Sequence, residues 1–360
     1  MCYEVGLSIV EPMSTATGPA TDATRTAPPS PSSTTPDIQR TGAQPTDAQP
    51  SGGSAASGDL PAGSARRRTL GWPVRFAMLC AVWGFSFLFI KVGTEGFVPL
   101  QFTLGRLAFG ALVLLAVLAI KRERLPRSPR IWGHLTVAAF ILNVLPFTLY
   151  AYAETTIPST LAGICNATSP LWGMVLSLVA LSEDRPTRRR VAGLGIGFLG
   201  VLTVLGAWQG FAGTDLAGTA MALGASLCYA IGWIYVRRTL ADVEHSPLAM
   251  TGTQLLLATL QLAVVTPLFT SWPTSFPLAS VLSAFALGAL GTGFAFVLQY
   301  RLVAEIGPTT AQMCTYFIPV IATAAGVTLL DEKLSWNTPV GALIVLAGAA
   351  LTQSKPRRKP

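Results

Sequence analysis

The sequence predicts an all-α membrane protein with ten transmembrane helices, set out as two inverted five-helix repeats. Three observations carry this prediction. Of 360 residues, 51% are hydrophobic and only 12% are charged, whereas a soluble domain carries about 25% charged residues. Apolar runs of about 20 residues, the length that crosses a bilayer core of about 30 Å, follow one another from Val74 onward. The order of residue types in these runs recurs once along the chain.

The elements can be taken in order. Residues 1–65 are set apart by composition. After Met13 they are dominated by Ala, Thr, Pro, Ser, Gly and Asp, as in TAPPSPSSTTPD, too little apolar surface to offset the entropy of ordering the chain. A disordered low-complexity tail is expected. MCYEVGLSIVEP lacks the basic start and long apolar stretch of a signal peptide, and Met1 and Met13 both fit as the start. Helices are expected near 74–94, 99–120, 131–153, 157–182 and 189–208, then 215–237, 247–269, 279–303, 308–330 and 337–353. Pro99, Pro158, Pro247 and Pro308 sit at helix starts, where the N–H that proline lacks has no intrahelical partner. Residues 354–360 form a basic tail.

The net charge of +8 falls in short segments between apolar runs. That is the pattern of cytoplasmic loops rather than of a nucleic-acid surface, so no nucleic acid is expected as partner. With the N-terminus in the cytoplasm, the segments flanking the helices on that side hold twenty of the 25 Lys and Arg residues. This bias places both termini there and favours an even number of spans in the plasma membrane. Cys80, Cys165, Cys228 and Cys314 lie inside apolar runs without ligand spacing, and only His134 and His245 are present. No metal or cofactor is expected.

Shifting the chain by 148 residues puts Cys80 and Gly84 on Cys228 and Gly232, Pro99-Leu100 on Pro247-Leu248, Leu107 on Leu255 and Tyr152 on Tyr300. A shift of 149 then puts Cys165 on Cys314, Pro170 on Pro319 and Glu183 on Glu332. The repeats expected are 74–208 and 215–353. Five helices per repeat make the second copy enter from the opposite face. Such inverted repeats are typical of secondary transporters that bind substrate between the halves.

VWGFSFLFIKVG, LGRLAFGALVLLAVLAI, PLWGMVLSLVALSED and IPVIATAAGVTLLDEKLSW together resemble the EamA branch of the drug/metabolite transporter superfamily, over about residues 74–353. The resemblance implies a ten-helix carrier, mostly exporting small metabolites such as amino acids or other polar compounds. A channel or a lipid-moving protein of the same architecture is the alternative. A membrane-embedded enzyme would need clustered carboxylates, histidines or an activated nucleophile, which the apolar runs do not offer. No Walker-type GK[ST] loop suggests direct ATP drive.

The polar residues of the apolar runs are the candidates for a substrate cavity. Lys91 lies near the non-cytoplasmic end of helix 1, where its stem can snorkel or its charge can attract an anionic group. Arg106 is deeper, about 10 Å along helix 2 from Pro99. It reads either as half of an ion pair, with Glu154 or Glu95, or as a guanidinium for a substrate carboxylate or phosphate. Its repeat counterpart is Gln254. Asn143 and Asn166 are amides that must face protein or water rather than lipid. Gln299, Tyr300 and Tyr316 on helices 8 and 9, and Trp83, Tyr229 and Trp233 on helices 1 and 6, complete the set. Glu183 and Glu332 read as boundary carboxylates, and no buried carboxylate stands out as a proton carrier. Gly193 and Gly197 form GxxxG in helix 5, suited to close packing within the chain or to dimerisation. Monomer and homodimer both fit.

Overall fold

The computed structural model describes residues 71–180, 187–209, 215–241, 243–307, 310–311 and 313–353. The two tails, Glu183 and Pro308 lie outside the described residues. Regular structure among them is helical throughout. Three long helices open the chain: α1 (Trp72–Gly96), α2 (Pro99–Lys121) and α3 (Pro129–Ala153). Two short ones follow, α4 (Ser159–Asn166) and α5 (Ser169–Ala180), and then α6 (Arg188–Val204). The second half repeats the scheme with α7 (Leu216–Leu240), α8 (Pro247–Phe269) and α9 (Leu278–Ile306). A 3₁₀ turn at Met313–Tyr316, α10 (Ile318–Leu329) and α11 (Asn337–Gln353) complete it. Among the described residues six helices, α1–α3 and α7–α9, are long and apolar enough to span a membrane.

Where the sequence predicts one helix over 157–182, the structure has a break at Ala167 and Thr168. Pro170 explains it. Proline supplies no N–H and crowds the carbonyl four residues back, which is that of Asn166. That carbonyl instead accepts from the Ser169 hydroxyl at 2.8 Å, and the Cys165 carbonyl accepts from Thr168 at 2.7 Å. Two further irregularities are π segments, Phe140–Val144 in α3 and Ala286–Phe294 in α9. Shifted by 148, the first falls inside the second, so the repeat is written into backbone geometry as well as into residue type.

Cross-chain hydrogen bonds sort the helix ends into two faces. On one, the Ser246 hydroxyl donates to Glu123 at 2.5 Å, and Arg75 at the start of α1 pairs with Glu305 near the end of α9. On the other, Gln101 donates to the Ser271 carbonyl at 2.7 Å and Asn337 to the Val204 carbonyl at 2.9 Å. Asp215, the N-cap of α7 on this second face, accepts from the N–H groups of Ala217 and Gly218. The Thr156 hydroxyl, aided by those N–H groups, holds its carboxyl below the ordinary range.

The halves meet through matched residues. Leu100, Leu107 and Leu114 of α2 share one core cluster with their counterparts Leu248, Leu255 and Leu262 of α8. In lipid this cluster gains from dispersion and close fit rather than from exclusion of water. The glycines of α6 face α11. A Cβ on Gly193 would stand 2.9 Å from the Gly348 carbonyl, and one on Gly200 would stand 2.9 Å from the Gly341 carbonyl. This face of α6 is therefore taken up by packing within the chain.

Candidate functional site

A cavity of about 190 Å³ lies inside the bundle between the two halves. Its floor is formed by Ile90, Tyr150 and Ile318, and it reaches the first face beside Val243, His245 and Pro247. One end of the bundle is thus open and the other closed.

Arg106 is the charged group of the middle wall. It is two turns into α2, buried at 8% exposure, and its Nε donates to the Thr292 hydroxyl at 3.1 Å. The guanidinium carbon lies 3.7 Å from the centre of the Phe147 ring, a cation–π contact that holds charge without neutralising it. The expected ion pair with Glu154 or Glu95 does not form. Among the described residues no carboxylate lies within 4 Å of the guanidinium. Thr292 itself is fixed, because its hydroxyl donates to the Leu287 carbonyl at 3.0 Å, an i→i−5 contact within the π segment of α9. The site has a neutral counterpart: Gln254 of α8 donates its amide to the Asn143 side-chain oxygen at 2.5 Å, and Asn143 lies in the π segment of α3. Each half therefore lends a long polar side chain to the irregular helix of the other.

Below Arg106 the floor is tied by hydroxyls. Tyr150 exchanges a hydrogen bond with Ser226 at 2.8 Å, donates to Asn166 at 3.3 Å and stacks near Tyr229 at 6.4 Å. Nearer the open face the Thr251 and Tyr300 hydroxyls are paired. Trp83, Arg106, Asn143, Asn166, Tyr229, Trp233 and Gln254 all line the cavity. Lys91, Gln299 and Tyr316 lie outside its lining. Lys91 sits at the closed end, donating to the carbonyls of Glu154 at 2.6 Å and Ile157 at 3.2 Å. Gln299 is buried in α9 while its neighbour Tyr300 faces the cavity, and the Tyr316 hydroxyl is buried without a partner. Tyr150, Thr292 and Phe147 are cavity residues that the sequence does not single out. Their runs, LPFTLYAYA and ALGALGTGF, carry no local polar signal that separates them from core.

A helical membrane bundle with an open-ended cavity between repeated halves, mostly apolar but carrying a cation and several amides on its wall, has the make-up of a membrane transporter. The chain belongs to the EamA-like transporter family, whose pattern matches it twice, over residues 71–206 and 216–353. It is 25% identical to the "Uncharacterized transporter YoaV" of Bacillus subtilis over 74% of this chain and 91% of that one. It is 23% identical to a "Probable amino-acid metabolite efflux pump" of Salmonella typhimurium, over 75% of this chain and 91% of the pump. An "Uncharacterized inner membrane transporter YedA" of Escherichia coli is 24% identical over 71% of this chain and 82% of its own length. A solved crystal structure, 21% identical with a TM-score of 0.56, shares the fold over 78% of this chain and 96% of that one.

Proposed function

We propose that the protein is a secondary transporter that exports small polar metabolites bearing a carboxylate or similar anion, such as amino acids, across the plasma membrane by alternating access. The observation that carries this reading is Arg106, a guanidinium on the cavity wall whose Nε is anchored by Thr292 and whose charge no carboxylate neutralises among the described residues. A guanidinium left in this way can donate to both oxygens of a carboxylate. The name of the Salmonella relative points to the same class of cargo. The first face carries the basic loops and so belongs in the cytoplasm, with both termini. The cavity then opens inward, the state in which an exporter loads. The fit of α6 against α11 supports a monomer as the working unit.

The test is flux in proteoliposomes of the full chain, with cargo chosen by comparing medium metabolites with and without expression. Saturable efflux that speeds up with cargo on the opposite side is expected. Flux that neither saturates nor responds to opposite-side cargo would instead indicate a channel.

A further inference from the structure

The closed end of the bundle holds a second polar site, one helical turn beyond the cavity floor. Glu154 follows the last residue of α3, where the backbone turns toward α4. Its side chain is 0% exposed, and neither carboxyl oxygen has a hydrogen-bond partner. No cation lies within 4 Å of it among the described residues. The nearby cation, Lys91, spends its ammonium on the backbone carbonyls of Glu154 and Ile157. The nearby carboxylate, Glu332, accepts from the Ser159 N–H at 2.7 Å and from the Thr160 N–H and hydroxyl at 3.1 and 2.6 Å. Lys91 from α1 and Glu332 from beyond α10 thus fasten the two ends of the α3–α4 connection, a cation at a helix C-terminus and an anion at a helix N-terminus, as the helix dipoles favour. Glu154 lies enclosed between the two fastenings.

An ionised carboxylate cannot be held in such a place. Removed from water without a partner, it takes up a proton instead. The charged and titratable groups facing it are Lys91 on α1, Arg106 on α2, Tyr150 one turn back on α3 and Glu332 after α10. Asp215 at the start of α7 is occupied with Thr156 and its own helix N-terminus. Burial opposes the anion most, Lys91 and Arg106 favour it and Glu332 opposes it, and the two cations have other partners in this state.

We propose that Glu154 is a proton-binding site that controls the closed end of the transporter: it is protonated while that end is shut and releases its proton to water when the end opens. On opening, water reaches the carboxyl, the proton leaves to solvent, and the carboxylate is free to pair with the Lys91 ammonium, which lets go of the two carbonyls. Closing requires the proton to return. The group binds its proton more tightly in the closed state, so the closed state is favoured at low pH and loses ground as pH rises through the closed-state pKa. The inference rests on the alternating-access reading for its consequence, while the protonation itself is independent of any cargo.

Two measurements on the full chain in nanodiscs test it. Infrared difference spectra in light and heavy water should show the carbonyl stretch of a buried protonated carboxylic acid at neutral pH, absent in Glu154→Gln. A wild-type spectrum without that band, or a band unchanged by the substitution, overturns the proposal. Spin labels at Thr155→Cys and Ser335→Cys, both exposed positions, on a background with the native cysteines replaced by alanine, then report the width of the closed end. The open-to-closed ratio should rise by up to about tenfold per pH unit in the wild type and stay low and flat in Glu154→Gln. A ratio independent of pH in the wild type, or one that moves equally in the variant, refutes the control of closure. Absent cargo flux with both results positive would count against the transport reading alone.

Discussion

The two halves answer the same structural question with different chemistry. At one position of the repeat, Arg106 reaches across to Thr292 with Phe147 beneath it. At the equivalent position Gln254 reaches across to Asn143, and the residue 148 beyond Phe147 is Ala295. Both contacts join helix 2 of one repeat to the π segment of the other, so both tie the halves together. Gln254 and Asn143 spend their polarity on each other. Arg106 has more donors than its threonine can use, and the excess faces the cavity. The repeat supplies a symmetric frame, and one difference within it leaves a cation on the cavity wall.

Removing that difference should have the largest effect. Arg106→Gln makes the two halves alike. Losing a charge-assisted contact to cargo, about 1.5–3 kcal/mol, should slow initial flux in proteoliposomes by about 10- to 150-fold. The yield of monodisperse protein should hold, because no ion pair is broken. Normal flux, or loss of the protein itself, would assign Arg106 to structure. Next is the neutral pair. Gln254→Leu leaves a buried amide unmatched and should cost about 1–3 kcal/mol in thermal unfolding, whereas Gln254→Leu with Asn143→Leu should recover most of the loss. Equal and additive losses would show that the two amides do not act as a pair. Thr292→Val takes away the acceptor that aims Arg106. About 1 kcal/mol corresponds to a roughly fivefold rise in the cargo concentration for half-maximal flux, and Thr292→Ser should restore it. Smallest is Phe147→Leu, which keeps the site apolar but removes the ring under the cation. About 0.5–1 kcal/mol predicts a two- to fivefold weakening, and an unchanged value would reduce Phe147 to packing.

Much of this arrangement is legible in the sequence because repeats constrain one another. The correspondence of Arg106 with Gln254 and of Leu107 with Leu255 can be read by eye, and most polar candidates chosen in the apolar runs do line the cavity. The phase of a helix is harder. Gln299 and Tyr300 are adjacent and both polar, yet successive side chains differ by about 100° around the axis, and only packing decides which faces inward. Glu154 is the clearest case of hidden information. It stands just past a helix end, where a carboxylate ordinarily meets water. It is buried where the chain around it is fastened by Lys91 and Glu332, which lie 63 residues before it and 178 after it. Glu332 itself reads as a boundary residue near a helix C-terminus, an unfavourable place for an anion. The structure shows that it serves the N-terminus of a different helix, α4.

The paired π segments carry a mechanical consequence. A π turn holds one residue more than an α turn, and that surplus can travel along a helix by exchanging one i→i−5 hydrogen bond for its neighbour. As it passes, the stretch of chain behind it screws round by about 100° and advances by about 1.5 Å, with the number of backbone hydrogen bonds kept. Asn143 and Thr292, the two residues on which the contacts between the halves land, sit within these π segments. The molecule thus has a thread cut into each half, by which a polar side chain can be wound toward its partner or away from it while the helix stays whole.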